Sequence, residues 1–145
     1  MKERIKRILT NLFFCLLFFI FDRFLKNLYF LIQRPTFLKF QKNYYFLFVF
    51  QGNFFYFLTT LILIILVFLI LRAYQKEKYQ QVFALGLILV GGFSNFLDRT
   101  IHGFVIDYIS FFSLWSFNLA DLMILIGSLL FLWQLLKKKN LESSK

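Results

Sequence analysis

The chain of 145 residues has one cysteine, one proline, one histidine and only seven acidic residues. With Cys15 alone, no intramolecular disulfide can form, and the redox compartment is not readable. A single histidine, His102, and a single cysteine cannot supply a metal cluster with the usual ligand spacing. A serine nucleophile would have only His102 as a candidate base. What the chain does have is 60% hydrophobic residues, with 24 phenylalanines. Soluble domains hold about half. The 17 basic residues give a net charge of +10. A basic chain can signal nucleic acid. Here the mean hydropathy of +0.71 and the long uncharged runs point to a membrane, with no nucleic-acid partner.

Four spans of about 20 residues leave too little chain for a separate folded domain. The expected fold is an all-α integral membrane protein, a single domain over 1–145. Spans are expected at about 8–31, 54–71, 82–97 and 118–136, with outer loops at about 32–53 and 98–117. The N-terminal stretch imitates a signal peptide but lacks small residues where cleavage would occur, so it reads as a retained first span. The uncharged run 8–21 is short of a hydrocarbon core of about 30 Å. The first helix is therefore expected to continue to about Leu31. Asp22, Arg23 and Lys26 would then lie near its far end, within snorkelling reach of the interface.

Basic residues in short flanks set orientation. Lys2, Arg4, Lys6, Arg7, Arg72, Lys76, Lys78, Lys137, Lys138, Lys139 and Lys145 fall on one side. They outnumber Arg23, Lys26, Arg34, Lys39, Lys42 and Arg99 on the other. Both termini are expected in the cytoplasm. The acids then sort by face. Glu3, Glu77 and Glu142 fall on the cytoplasmic side, while Asp22, Asp98, Asp107 and Asp121 fall on the outer side. Chemistry is expected there.

The stretch 35–52 has a β-type, aromatic composition. It reads either as an interfacial aromatic belt or as a small sheet lying on the membrane and helping to hold a lipidic substrate. Small residues gather in spans three and four: Ala84, Gly86, Gly91, Gly92, Ser94, Ala120, Gly127 and Ser128. Helices in lipid approach closely through such residues, so these two spans are expected to pack tightly.

Polar groups in an apolar bundle are costly and usually functional. Asn95, Asp98 and Arg99 share a helix face by their i, i+3, i+4 spacing. Asn118 and Asp121 stand at i, i+3. Each set has a structural alternative. Asn118 can cap a helix with Asp121 in its first turn. Asp98 with Arg99, and Asp22 with Lys26, can be ion pairs. Asp107 is the hardest to explain structurally, because apolar residues flank it on both sides. Two carboxylates in one low-dielectric site cannot both ionise. One can act as base on a water while the other polarises a carbonyl and later donates to a leaving amine.

These residues resemble a known family, the bacterial lipoprotein signal peptidases (signal peptidase II). The matching pieces are Asp22-x-x-x-Lys26, Asn43 with Phe48, Gly91-Gly92-x-x-Asn95-x-x-Asp98-Arg99, and Val105-x-Asp107 leading to Phe117-Asn118-x-Ala120-Asp121. The resemblance implies four transmembrane helices with a small outer-side β-element. It implies an aspartic endopeptidase that cuts prolipoproteins before their diacylglyceryl-modified cysteine, acting among membrane lipids without metal or organic cofactor. By it, Asp107 and Asp121 are catalytic, and Asn118 supports them. Asn95, Asp98, Arg99, Asp22, Lys26 and Asn43 occupy the other functional or structural polar positions. Four residues depart from the family pattern: Tyr45 and Leu47 where Gly and Ala are usual, Arg23 for Gln, and Tyr108 for Phe. Two other classes remain open on the residues alone. A non-catalytic membrane protein leaves Asp107 unexplained. A proton-coupled transporter would want acids at mid-membrane rather than at one face.

Overall fold

The structure is a computed structural model, and it describes residues 2–31, 41–43, 53–111 and 115–143. Its helices are α1 (Lys2–Leu31), α2 (Asn53–Gln75), α3 (Tyr79–His102) and α4 (Leu119–Ser143). Each contains a stretch long and apolar enough to cross a membrane. Their outward faces carry exposed Leu9, Phe13, Ile20, Ile64, Phe68, Leu129 and Leu132. In lipid that surface is the required one, since the helix satisfies its own backbone and leaves apolar side chains outside. All four helices outrun the apolar runs expected from the sequence. α1, at 30 residues, is about 45 Å long and reaches past the hydrocarbon at both ends.

Helix α3 is the centre of the bundle and packs against α1, α2 and α4. It joins α2 through a tight turn in which the Lys78 N–H donates to the Ala73 carbonyl and Glu77 takes a positive φ of 57°. At the other end, Gly103 closes α3 at φ 78°, donating to the Arg99 carbonyl. This left-handed cap suits glycine and turns the chain into a strand. Four short strands lie at the same end: β1 (Gln41–Asn43), before α2, and β2 (Val105–Asp107), β3 (Ile109–Phe111) and β4 (Trp115–Phe117), after α3. β1 pairs antiparallel with β2, setting Gln41 opposite Asp107 and Asn43 opposite Val105. β3 pairs antiparallel with β4. The expected sheet at 35–52 thus has its described part in β1. Phe48, Tyr45 and Leu47 lie outside the described residues.

The small residues do two different things. A Cβ on Gly91 would stand 2.5 Å from the Ala120 carbonyl oxygen, and one on Gly127 would stand 2.6 Å from the Ala84 carbonyl oxygen. Each helix therefore offers a glycine to the other's backbone, which is how α3 and α4 come so close. Gly92 differs from the packing role expected of it. A Cβ there meets only Leu63, at an ordinary 3.5 Å, across from α2. Gly91→Ala is thus expected to force α3 and α4 apart, at about 1–3 kcal/mol, and to lower both melting temperature and activity. Gly92→Ala is expected to leave the melting temperature close to that of the parent. Equal effects in a thermal unfolding series would contradict this packing.

Candidate active site

Asp107 ends β2 and is fully buried. Its Oδ1 accepts from Asn118 Nδ2 at 2.8 Å. Its Oδ2 accepts from Asn43 Nδ2 at 3.1 Å and from the Ser116 hydroxyl at 3.3 Å. Burial pushes its pKa above the usual carboxylate range, and repulsion from Asp121 adds to this. The three hydrogen bonds oppose the rise without cancelling it. The β1–β2 register makes the Asn43 contact possible, because Asn43 stands diagonally across from Asp107.

Asp121 stands in the first turn of α4. Its Oδ1 accepts from Asn95 Nδ2 at 2.7 Å, and its Oδ2 accepts from the Asn118 backbone N–H at 3.2 Å. Asn118 returns the bond, its Oδ1 accepting from the Asp121 N–H at 3.0 Å. This is a reciprocal cap of the capping-box kind. The capping role and the supporting role of Asn118 are one arrangement, since its Nδ2 is left free to reach Asp107. One buried asparagine thereby holds both carboxylates.

The start of α4 is fixed with unusual completeness. The Leu119 N–H donates to the Tyr108 hydroxyl at 2.9 Å, and the Ala120 N–H donates to Asp22 Oδ1 at 3.2 Å. With Asn118 serving Asp121, three successive N–H groups that a helix start leaves orphaned each have a partner. Two carboxylates lie against the positive end of the helix dipole. Burial is the main cause that raises the Tyr108 hydroxyl pKa, with Asp22 adding to it, so the hydroxyl stays protonated and donates to Asp22 Oδ1 at 2.8 Å.

Behind this lies a second polar cluster. Asp22, Lys26 and Asp98 are each 0% exposed. Lys26 Nζ is 2.9 Å from Asp22 Oδ2, 2.9 Å from Asp98 Oδ2 and 2.9 Å from Asn95 Oδ1. The Ser94 hydroxyl donates to Asp22 Oδ2 at 2.6 Å. Arg23 makes a salt bridge with Asp98. Two expectations are corrected here. Asp22 and Lys26 do form the expected pair, but Lys26 does not snorkel to the interface. It turns inward, because α3 presents Asp98 and Asn95 as partners. Nor do Asp98 and Arg99 pair with each other. Neighbours on a helix point about 100° apart, so Asp98 faces α1 while Arg99 faces a groove.

That groove, of about 500 Å³, runs between α2, α3 and α4. Leu63, Leu66, Ile124 and Leu125 give it apolar walls, and Asn43, Asn95, Arg99 and Asp121 gather at one end. The Tyr56 hydroxyl, from α2, donates to the Arg99 carbonyl at 3.0 Å. The expected polar residues thus converge at one end of the bundle in two linked groups. Asn118, Asn95, Asn43 and Arg99 gather around the Asp107 and Asp121 carboxylates, and Asp22, Lys26 and Asp98 tie α1 to α3. Sequence reasoning passed over Tyr108, Ser94, Ser116, Tyr56 and Gly103 as working parts. Only Gly103 carried a local signal, a glycine just past a helix that ends in His102. Among the described residues no cluster of ligand-type side chains could hold a metal ion.

Four membrane-length helices with two hydrogen-bonded carboxylates at one end, Asp107 buried and Asp121 at the groove, define a multi-pass membrane protein built around a polar site. The profile of the Signal peptidase (SPase) II family, Peptidase_A8, matches residues 14–137. The chain belongs to this family of bacterial membrane peptidases. It is similar to the lipoprotein signal peptidase of Photorhabdus laumondii, at 40% identity over 82 residues, covering 54% of this chain and 48% of that protein. It is also similar to that of Wolinella succinogenes, at 41% identity over 76 residues, covering 50% and 52%. The matched segments therefore span about half the length of these relatives. A bacterial membrane enzyme solved by the in meso method at 2.3 Å resolution superposes with a TM-score of 0.73 at 27% identity, covering 90% of this chain and 89% of that one.

Proposed function

We propose that the chain is an aspartic endopeptidase of the bacterial cytoplasmic (inner) membrane that removes the signal peptide of lipid-modified prolipoproteins. The cut falls just before the diacylglyceryl-modified cysteine. The observation that carries this reading is the joining of buried Asp107, through Asn118, to Asp121, which stands at the polar end of an apolar groove. Membership of the signal peptidase II family supports it. The two carboxylates share one proton and titrate as a pair. The ionised member takes a proton from the attacking water, and the protonated member hydrogen-bonds the scissile carbonyl. A proton then passes to the leaving amine. The apolar walls take up the hydrophobic part of the signal peptide and exclude bulk water. Asn95, Asn118 and Asn43 donate to the carboxylates and hold their orientation. No metal or organic cofactor enters these steps.

The excess of basic residues near both termini and the α2–α3 turn supports a cytoplasmic location for that end. The aspartates then act near the outer face, where a lipid-modified precursor emerges. The test is a cleavage assay with the purified chain in bilayers. A diacylglyceryl-modified prolipoprotein should be cut to a product that begins at its lipidated cysteine, while the unmodified precursor should be spared. Binding without cleavage, under conditions where a control peptidase works, would instead make the chain a non-catalytic lipoprotein-binding homologue.

A further inference from the structure

The end of the bundle opposite the aspartates carries a second concavity, which the proposed reaction does not use. A depression of about 470 Å³ lies between α1, α3 and α4, and its floor includes Phe83 and Leu130. It shares Arg7, Tyr79, Gln80, Trp133 and Gln134 with an adjoining hollow of about 430 Å³. The two form one continuous groove at the ends of three membrane helices. Its rim holds Lys6, Arg7, Lys78 and Lys137. The acids are Glu3 and Glu77, and Glu77 is already paired with Arg4 at 3.1 Å. Lys137 Nζ stands over the Trp133 ring at 5.5 Å. Asn11 donates to the Tyr79 carbonyl at 3.1 Å, and Gln134 donates to the Gln80 carbonyl at 3.2 Å. These bonds tie α1 to α3 and α4 to α3, so the walls are held at a set distance.

We infer that this groove binds the phosphate headgroup of an anionic phospholipid. The rim cations give a positive surplus aimed at one place. The groove lies at the depth where headgroups lie, with a tryptophan of the kind that anchors helices at this level. Its floor turns apolar one to two turns further in, where the upper acyl chain would run. Basic pockets between transmembrane helices recognise anionic lipids by this combination of fixed cations and adjoining apolar wall. A soluble anion would use the cations and leave the apolar floor idle.

Native mass spectrometry of the full chain, released from membranes of mixed phosphatidylglycerol and phosphatidylcholine, tests the assignment. Phosphatidylglycerol should be retained in preference. R7Q with K137Q should weaken that retention by roughly fivefold for each cation removed. R72Q with K76Q removes the same charge from the same end but outside the groove, and it should leave retention unchanged. All of these side chains are exposed, so the melting temperature in phosphatidylcholine alone should match the parent and certify folding. Equal loss in both double variants would overturn the site in favour of diffuse surface charge. Equal retention of phosphatidylcholine, or equal thermal protection by inorganic phosphate without lipid, would overturn the anionic-lipid assignment. None of these readouts depends on peptidase activity.

Discussion

Asp107→Asn is expected to insert and accumulate like the parent while cleaving a lipidated prolipoprotein about 10²–10⁴-fold more slowly, the usual contribution of a general acid–base group. The variant is close to isosteric, and its neighbours can adapt. Asn118 Nδ2 still donates to the remaining carbonyl oxygen, the Ser116 hydroxyl can rotate to accept, and the Asn43 amide can turn over. Asp121→Asn should abolish cleavage to the same degree but fold less well. Its two oxygens face the Asn95 amide and the Asn118 backbone N–H; the backbone donor cannot be reversed, and Asn95 cannot turn over while its Oδ1 accepts from Lys26. An amide placed there leaves one donor facing another, at about 1–3 kcal/mol. The pH profile gives a second readout. Burial and the neighbouring Asp121 raise the Asp107 pKa, so the pair holds its shared proton above the ordinary carboxylate range. Activity should persist upward in pH and fall only when that last proton leaves. It should also fall at low pH, when the second carboxylate is protonated and no base remains. Full activity in either variant, or an alkaline limb at the ordinary carboxylate position, would remove the shared-proton mechanism.

The parts of this site that the sequence discloses are those with local spacing. The i, i+3 relation of Asn118 and Asp121 announces a helix start, and the structure has that start at Leu119. The crowding of small residues into spans three and four announces a close helix pair, and Gly91 with Gly127 forms it. The isolation of Asp107 among apolar residues announces a polar group held for a reason. Other parts depend on contacts between distant segments. Tyr108 and Ser94 both reach Asp22, across 86 and 72 residues of chain. A lone tyrosine or serine in an apolar run carries no periodic signal of such a partner. Asn43 acquires its place only through a three-residue strand whose partner is β2. Lys26 shows the limit most clearly. Its position in α1 permits either snorkelling or burial, and the choice rests on what α3 presents opposite it.

The burial of Lys26 should make it one of the most sensitive positions for folding. Lys26→Met is expected to destabilise the bundle by about 3–5 kcal/mol, as when one partner of a buried ion pair is removed. The cause is what stays behind, since Asp22 and Asp98 are both fully buried and Lys26 serves both. Arg23→Gln should cost much less. Arg23 is 19% exposed and serves only Asp98 among the aspartates, and Lys26 still neutralises that residue when Arg23 is gone. Lys26→Met combined with Asp22→Asn should recover part of the loss, because the second change removes one of the stranded charges. Activity should fall further than stability explains. Asn95 Oδ1 accepts from Lys26, which leaves the Asn95 amide group to donate to Asp121. Without the lysine only Asp121 itself holds that orientation, and only while it is ionised, so kcat should drop even at temperatures where the variant remains folded. Thermal unfolding in bilayers, run beside the cleavage assay, ranks the variants. If Arg23→Gln proves as damaging as Lys26→Met, then the arginine rather than the lysine holds α1 to α3.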